Sequence, residues 1–231
     1  MTKNLSSVFS ILLLLTIFSP HSFAQSKRKI ACQLAHDLKQ GTLIVVLKTD
    51  AKKLAYLEKF SKQGSDREMA RYAKMLRRTL AERDTTWKYT TLGFSTLYQF
   101  SAATFLMDTS LGTFLKNPAD CTFYDAALKP ITHIPQGRLF VCKYGHTFGD
   151  QSTNLQNAWY VMDSHLQRLP KPFPEMVRFS VFRPAFTLRL PPDFMQQNGI
   201  SKTTKHHKPL RYAMKLNADL IKYYTKKGDC E

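Results

Sequence analysis

The stretch GTLIVVLKTD, residues 41–50, decides the fold class of this chain. Its centre, residues 43–47, is an uninterrupted apolar run rich in β-branched side chains, which is typical of a strand buried on both faces of a sheet. Asp50 follows as a candidate helix N-cap, and a helical apolar pattern begins at Leu54. The stretch therefore predicts a central strand that leads directly into a helix.

A second helix and a second buried strand are predicted after this stretch. From Ser65 and Asp66 onward, apolar residues recur at helical spacing, and the other face carries Arg67, Arg71, Lys74, Arg77, Arg78 and Arg83. Residues 102–107 (AATFLM) form another apolar run typical of a buried strand. A strand, a helical hairpin and a second strand in this order indicate an α/β unit.

The second half of the chain predicts two hairpins with the same turn. Residues 121–124 and 158–162 are strand-like, and each is followed by the pattern D-x-x-L-x-x-[IL], which begins at Asp125 and at Asp163. An aspartate at a strand end accepts a hydrogen bond from the backbone two residues on. We therefore interpret both aspartates as turn formers and not as an acid/base pair. A further strand is predicted at residues 138–144.

The chain closes with a predicted amphipathic helix. Pro209 suits its first turn, and its apolar stripe consists of Leu210, Ala213, Leu216, Leu220 and Tyr224. The densest cationic region lies here, with the anion-binding candidates Lys202, Lys205, Lys208, Arg211 and Lys215. We expect the stripe to pack on the domain and the cations to lie largely on the exposed side. The alternative is a basic helix that binds an anionic membrane.

The N-terminus predicts export. Residues 8–18 are an apolar run, and small residues precede a cleavage site between Ala24 and Gln25, so residues 1–24 are interpreted as a signal peptide. The run is shorter than the roughly 20 residues that span a bilayer. A charged segment separates it from Cys32, which argues against a lipoprotein. The expected mature chain is soluble and either periplasmic or secreted.

Residues 25–231 are long enough for one full-sized core, and no linker-like segment divides them. The expected fold is a single α/β domain with a mixed β-sheet. It has a long helical hairpin after the first strand, β-hairpins in the second half and a C-terminal helix.

Four cysteines, Cys32, Cys121, Cys142 and Cys230, favour disulfide bonds in an exported protein, and they permit three pairings. A bridge between Cys32 and Cys230 is favoured because the termini of compact domains often lie close together. A bridge between Cys121 and Cys142 is favoured because they lie in neighbouring strand-like segments. No C-x-x-C or structural zinc spacing is present, and no metal or cofactor is expected.

The segment VCKYGHTFGDQ, residues 141–151, combines a thiol, an imidazole and a carboxylate. We expect Cys142 at a strand end, with His146 and Asp150 in a polar loop of residues 145–154. His146 and Asp150 spell H-x-x-x-D, which resembles the core of the H-H-x-x-x-D-G acyltransferase signature, where the histidine is a general base. The first histidine and the final glycine of that signature are missing here. His146 and Asp150 are therefore only alternative catalytic candidates.

The charge balance favours a binding function. The chain has 34 Lys and Arg against 17 Asp and Glu, a net charge of +17. Such a field attracts anionic polymers, lipopolysaccharide or an anionic membrane surface, and no specific nucleic acid partner is expected. Common catalytic and nucleotide-binding motifs are missing from the sequence. We expect a non-catalytic binding protein for an anionic envelope component or an anionic partner. The alternatives are an enzyme that uses loop 145–154 and an envelope-associated structural protein.

Four segments also carry a resemblance. The run GTLIVVLKT, the long charged helix, the segment NAWYVMDSHLQRLPKPFPEMVR and the closing KLNADLIKYY resemble, in this order, a group of small exported proteins of Gram-negative bacteria. The resemblance implies export and an α/β fold. It implies no activity and no site residues.

Overall fold

The computed structural model describes residues 21–146, 157–178, 190–200 and 208–226. In chain order these contain α1 (His21–Gln40), β1 (Thr42–Leu47), α2 (Ala51–Phe60), α3 (Asp66–Thr96), β2 (Ala102–Met107), α4 (Leu111–Lys116), β3 (Phe123–Tyr124), β4 (Pro130–Ile131), β5 (Leu139–His146), β6 (Asn157–Asp163), β7 (Met176–Arg178), α5 (Pro192–Gln197) and α6 (Lys208–Lys226).

The strands form one mixed sheet in the order β4-β3-β2-β1-β5-β6-β7. The apolar run of β1 lies at its centre, parallel to β2 on one side and to β5 on the other. Antiparallel pairs extend both edges, β3 with β4 beyond β2, and β6 with β7 beyond β5. All six residues of β1 are buried. The predicted α/β fold with a mixed sheet and a strand buried on both faces is confirmed.

Three helices cover one face of this sheet and form the main core. Leu43 and Val45 of β1 pack there in one cluster with Leu38 of α1, Phe94 of α3 and Leu216 of α6. Alternate residues of a strand point to opposite faces. The intervening Ile44 and Val46 therefore belong to a second, smaller cluster on the other face, with Phe114 and Phe123.

Helix α1 is not predicted from the sequence. Ala31, Leu34, Ala35 and Leu38 lie on one side of the helix, and all four are buried in the main cluster. Their spacing of three and four residues is the pattern of an amphipathic helix. The segment just after the predicted cleavage site is therefore part of the core.

The helical hairpin between β1 and β2 is confirmed. Helix α3 begins after Ser65, whose backbone N–H donates to the Glu68 carboxylate at 3.1 Å, as in a capping box. It continues for 31 residues to Thr96. Asp50 precedes α2 as predicted, but its side chain does not cap the helix. Asp50 instead has a left-handed backbone conformation and forms an ion pair with Lys48 at 2.8 Å.

The two predicted aspartate turns are also confirmed. Asp125 Oδ1 accepts hydrogen bonds from the backbone N–H groups of Ala127 and Lys129, at 2.9 and 2.8 Å. Asp163 Oδ1 accepts the equivalent bonds from residues 165 and 167, also at 2.9 and 2.8 Å. The first turn joins β3 to β4. The second leads from β6 to Arg168, which forms a β-bridge with Met162.

Helices α3 and α6 cross closely at Gly93. A Cβ atom on this residue would lie 3.2 Å from the Cβ of Ala213 and 3.2 Å from the Cα of Leu210. Glycine permits this close backbone approach because it has no side chain. Within the described residues, no helix combines the length and the apolar character needed to cross a membrane.

Candidate functional site

A cavity of about 380 Å³ lies at the carboxyl ends of β1 and β5. The chain leaves β1 through α2 and α3 to reach β2 on one side, whereas β5 lies on the other side of β1. In open α/β sheets, ligands bind outside the carboxyl ends of the strands where the strand order reverses in this way. The volume is in the range of small-molecule sites. We call this cavity the sheet-end pocket.

Aromatic rings form the inner wall of the sheet-end pocket. Trp159 of β6 packs against Tyr144 of β5 and Tyr212 of α6, with ring centroids 5.7 and 6.0 Å apart. Tyr144 and Tyr212 are themselves 6.2 Å apart. Behind them Phe94 of α3 lies 5.5 Å from Trp159 and joins this wall to the main core. The wall is therefore a continuous aromatic surface that is suited to a flat or apolar group.

A second tryptophan is held in place by two polar contacts. The indole N–H of Trp87 in α3 donates to the backbone carbonyl of Lys48 at 2.9 Å. The Arg83 guanidinium lies over the Trp87 ring at 4.7 Å from its centroid, and Arg83 pairs with Asp84 at 2.7 Å. These contacts tie α3 to the end of β1 and fix the orientation of the indole at the side of the pocket.

The charged residues of the sheet-end pocket leave an excess of cations. Four cationic residues and two acidic residues line it: Lys48, Lys53, Arg83, Lys208, Asp50 and Glu82. Both carboxylates have cationic partners, since Asp50 pairs with Lys48 and Glu82 accepts from Arg78 at 2.8 Å. Within the described part of the chain, no ion pair is seen for Lys53 or Lys208. Among the described residues, two exposed ammonium groups are therefore available to an anion.

The tyrosine hydroxyls of the pocket stay protonated at neutral pH. Burial raises the pKa of Tyr144, and the nearby Lys48 charge only partly opposes that rise. Burial also raises the pKa of Tyr212, with a smaller contribution from Tyr144. Both phenols are consequently neutral groups that can donate or accept a hydrogen bond. Three threonines, Thr79, Thr86 and Thr90, add hydroxyl groups to the lining.

The segment around His146 differs from its predicted form. Strand β5 continues through Gly145 to His146, and His146 pairs with Asn157 of β6. Gly145 and His146 therefore do not lie in a loop. Cys142 lies inside the strand and is fully buried, not at a strand end. The long antiparallel pairing with β6 extends β5 past the glycine, which the local sequence does not reveal. Asp150 lies outside the described residues, so the H-x-x-x-D hypothesis stays a prediction.

The expected bridge between Cys121 and Cys142 is wrong, because both are free thiols. Cys142 belongs to the main cluster on the helical face, whereas Cys121 packs on the opposite cluster. Strands β1 and β2 also separate β5 from β3, which Cys121 precedes. Neighbouring strands lie about 4.8 Å apart, so three strand spacings place β3 about 14 Å from β5. This distance exceeds the limit of roughly 7 Å between the Cα atoms of a disulfide. Cys32 is disulfide-bonded. Cys230 lies outside the described residues, so its pairing stays a prediction.

The anion-binding candidates of the C-terminal region have different positions. Lys202 and Lys205 lie outside the described residues. Lys208 is exposed at the start of α6 and lines the sheet-end pocket. Arg211 and Lys215 are half-buried, which corrects the expectation that they are exposed. Lys215 forms an ion pair with Asp219 at 2.8 Å.

The apolar stripe of α6 packs into the domain, as expected. Leu210, Leu216 and Leu220 are at most 1% exposed. Burying one leucine side chain contributes roughly 2 kcal/mol, so exposing three would cost about 6 kcal/mol. The folded domain therefore keeps this stripe in its own core, where it is not available to a membrane.

Most of the sheet-end pocket is not predicted by the sequence analysis, which identifies only Lys208 among its functional candidates. One feature of the sequence could have indicated the pocket. Lys48 and Asp50 directly follow a predicted central strand, and ligands of open α/β sheets bind at the carboxyl ends of such strands. The aromatic wall comes from distant segments, which no local pattern connects. Among the described residues, no three His, Cys, Asp or Glu side chains are grouped to hold a metal ion.

Comparisons of this chain with protein families, with curated proteins and with solved structures find no match.

Proposed function

We propose that this protein binds a small anion with an apolar or aromatic body in the sheet-end pocket, without chemical turnover. The observation that carries this proposal is the pairing of an aromatic wall with two lysines, Lys53 and Lys208, for which no ion pair is seen in the described residues. The wall suits a flat or apolar group, and the ammonium groups suit a carboxylate, phosphate or sulfonate. The proposal narrows the expected anionic ligand to an amphipathic small molecule.

The tryptophans make this binding directly measurable. The chain has two tryptophans, Trp87 and Trp159, and both line the pocket. All indole fluorescence therefore reports on this site. A suitable probe is anilinonaphthalene sulfonate, which has aromatic rings and one anionic group. Phenylnaphthylamine has the same ring system without the sulfonate and serves as the neutral control.

We expect the sulfonate probe to bind the purified protein, to quench its indole fluorescence and to accept energy from it. Replacing Lys53→Gln or Lys208→Gln should weaken sulfonate binding about fivefold each, the equivalent of roughly 1 kcal/mol per charge contact. Binding of the neutral probe should change little, because the aromatic wall is intact. Lys222→Gln is the matched control, since Lys222 is exposed on α6 and does not line the pocket.

Three results would overturn the proposal. In the first, the sulfonate probe binds without affecting indole fluorescence. In the second, Lys222→Gln weakens binding of the sulfonate probe as much as Lys208→Gln does. In the third, Lys53→Gln or Lys208→Gln weakens binding of the neutral probe as much as binding of the sulfonate probe. The first result places the probe at another surface. The second shows a general charge effect, and the third shows damage to the wall. Circular dichroism of each variant confirms that the fold is retained.

A further inference from the structure

Helix α2 and the first half of α3 form a hairpin with very little buried surface. Leu57 is the buried residue of α2, and the buried residues of α3 begin only at Thr79. Helix α3 has 31 residues and is about 46 Å long at 1.5 Å per residue, more than twice the length of a six-residue strand. Residues 51–78 therefore present most of their side chains to solvent.

One side of this hairpin is apolar and exposed. Tyr56 and Met75 are 53% and 40% exposed. The centroid of the Tyr56 ring lies 4.5 Å from that of Phe60 and 6.3 Å from that of Tyr72. Met75 follows Tyr72 by three residues and therefore lies on the same side of α3. We call Tyr56, Phe60, Tyr72 and Met75 the hairpin face.

Cations flank the hairpin face on both helices. Arg71 and Arg78 lie one turn before and after Met75, and Lys52 and Lys59 lie one turn before and after Tyr56, all four exposed. Residues 51–83 contain ten Lys and Arg against four Asp and Glu. The ion pairs seen on the hairpin use Lys62 and Arg78, whereas none is seen for Arg71 within the described residues. The hairpin face is therefore bordered by an excess of positive over negative charge.

We propose that the hairpin docks on an anionic phospholipid surface through its hairpin face. Segments that lie in a membrane interface combine aromatic and apolar side chains with Lys and Arg that contact lipid headgroups. A water-soluble polyanion would neutralise the cations but leave Tyr56 and Met75 in water. Helix α6 does not offer such a face, because its apolar stripe is buried. The hairpin thus replaces α6 as the candidate membrane contact.

The test is co-sedimentation of the full purified chain with lipid vesicles. Vesicles of equal parts phosphatidylglycerol and phosphatidylcholine should bind the protein, and phosphatidylcholine alone should bind it weakly. Added salt should reduce binding because it screens the headgroup charge. Arg71→Gln should reduce partitioning about fivefold, the effect of one cation near an anionic surface. Arg77→Gln is the matched control, since Arg77 lies two residues after Met75 on the far side of α3.

The apolar contribution needs a separate pair of variants. Tyr56→Ser combined with Met75→Ser should reduce partitioning at least about tenfold, because two exposed apolar groups no longer enter the interface. Ile221→Ser is the control, since Ile221 of α6 is 41% exposed, close to the value for Met75. Circular dichroism and the urea midpoint of each variant show that the hairpin remains helical. These variants leave the sheet-end pocket unchanged.

Each of the following results would overturn the proposal. Arg77→Gln or Ile221→Ser reduces vesicle binding as much as its partner variant does. Vesicles with and without phosphatidylglycerol bind equally, or neither binds. Heparin, a soluble polyanion, binds with a dependence on Arg71 while anionic vesicles do not; the hairpin is then a polyanion site.

Discussion

The two free thiols have environments that differ in their access to solvent. Cys142 lies in β5 with no exposed surface, and burial raises the pKa of its thiol far above the ordinary value. Cys121 is half-buried, and its thiol contacts the Ser110 carbonyl at 3.7 Å. Burial and the Asp120 carboxylate raise the pKa of Cys121 as well. A thiol reacts as its thiolate, so both residues resist oxidation, Cys142 more strongly.

We expect Ellman's reagent to label Cys121 in the native protein and Cys142 only after unfolding. Because the pKa of Cys121 is raised, its thiolate fraction at neutral pH is small, and its labelling rate should increase as the pH rises. Cys121→Ser should remove the native signal. A native protein without a reactive thiol would contradict the solvent access assigned to Cys121. Peptide mapping of the labelled protein also tests the pairing of Cys32 with Cys230.

At the scale of elements, the start of the sheet depends on a junction that excludes any side chain. Gly41 joins α1 to β1, and its N–H donates to the Leu38 carbonyl at 3.2 Å. A Cβ on Gly41 would overlap the carbonyl oxygen of Arg138 and lie 2.7 Å from that of Asp37. Both neighbours are backbone atoms, which cannot move aside without shifting α1 or β5.

Gly41→Ala should therefore lower the free energy of unfolding by about 1–3 kcal/mol, the usual cost of forcing atoms into a packed region. Gly112→Ala is the control, since a Cβ on Gly112 of α4 meets no atom within 4 Å. There alanine should raise the free energy of unfolding by about 0.5–1 kcal/mol through helix propensity. Urea unfolding measures both changes. Equal effects of the same sign would contradict this account of the junction.

At the scale of the whole molecule, cleavage between Ala24 and Gln25 would leave the described core intact. Helix α1 includes Ala24 and Gln25, but its described buried residues begin at Ala31, and residues 27–30 are exposed. Removal of residues 1–24 therefore takes away none of the described core. The exposed cations, the sheet-end pocket and the hairpin also remain in a chain that begins at Gln25.

We expect protein isolated from its native host to begin at Gln25 and to be recovered without detergent. Intact-mass measurement decides this, and a lipid on Cys32 or retention of residues 1–24 would contradict it. A recombinant chain of residues 25–231 should unfold at the same urea concentration as a recombinant chain that retains residues 1–24. A clearly lower midpoint would show that the removed segment belongs to the fold.

The sequence by itself determined the elements whose signals are local. The apolar run of residues 43–47 specified β1, because a short continuous run rich in β-branched side chains is typical of a strand buried on both faces. The helical spacing after Asp66 specified α3, and Asp125 and Asp163 specified their turns through hydrogen bonds to the backbone a few residues away. Each of these signals depends on residues that are close in the chain.

Only the tertiary structure decided what those elements bring together. Trp87, Tyr144, Trp159 and Tyr212 form one pocket because parallel strands align their carboxyl ends and α3 crosses α6 at Gly93. Cys121 and Cys142 are kept apart because they lie on opposite faces of one sheet. The stripe of α6 is buried, while the hairpin face is left in water. Sheet order and helix packing set these outcomes, and they arise from contacts between residues that are distant in the sequence.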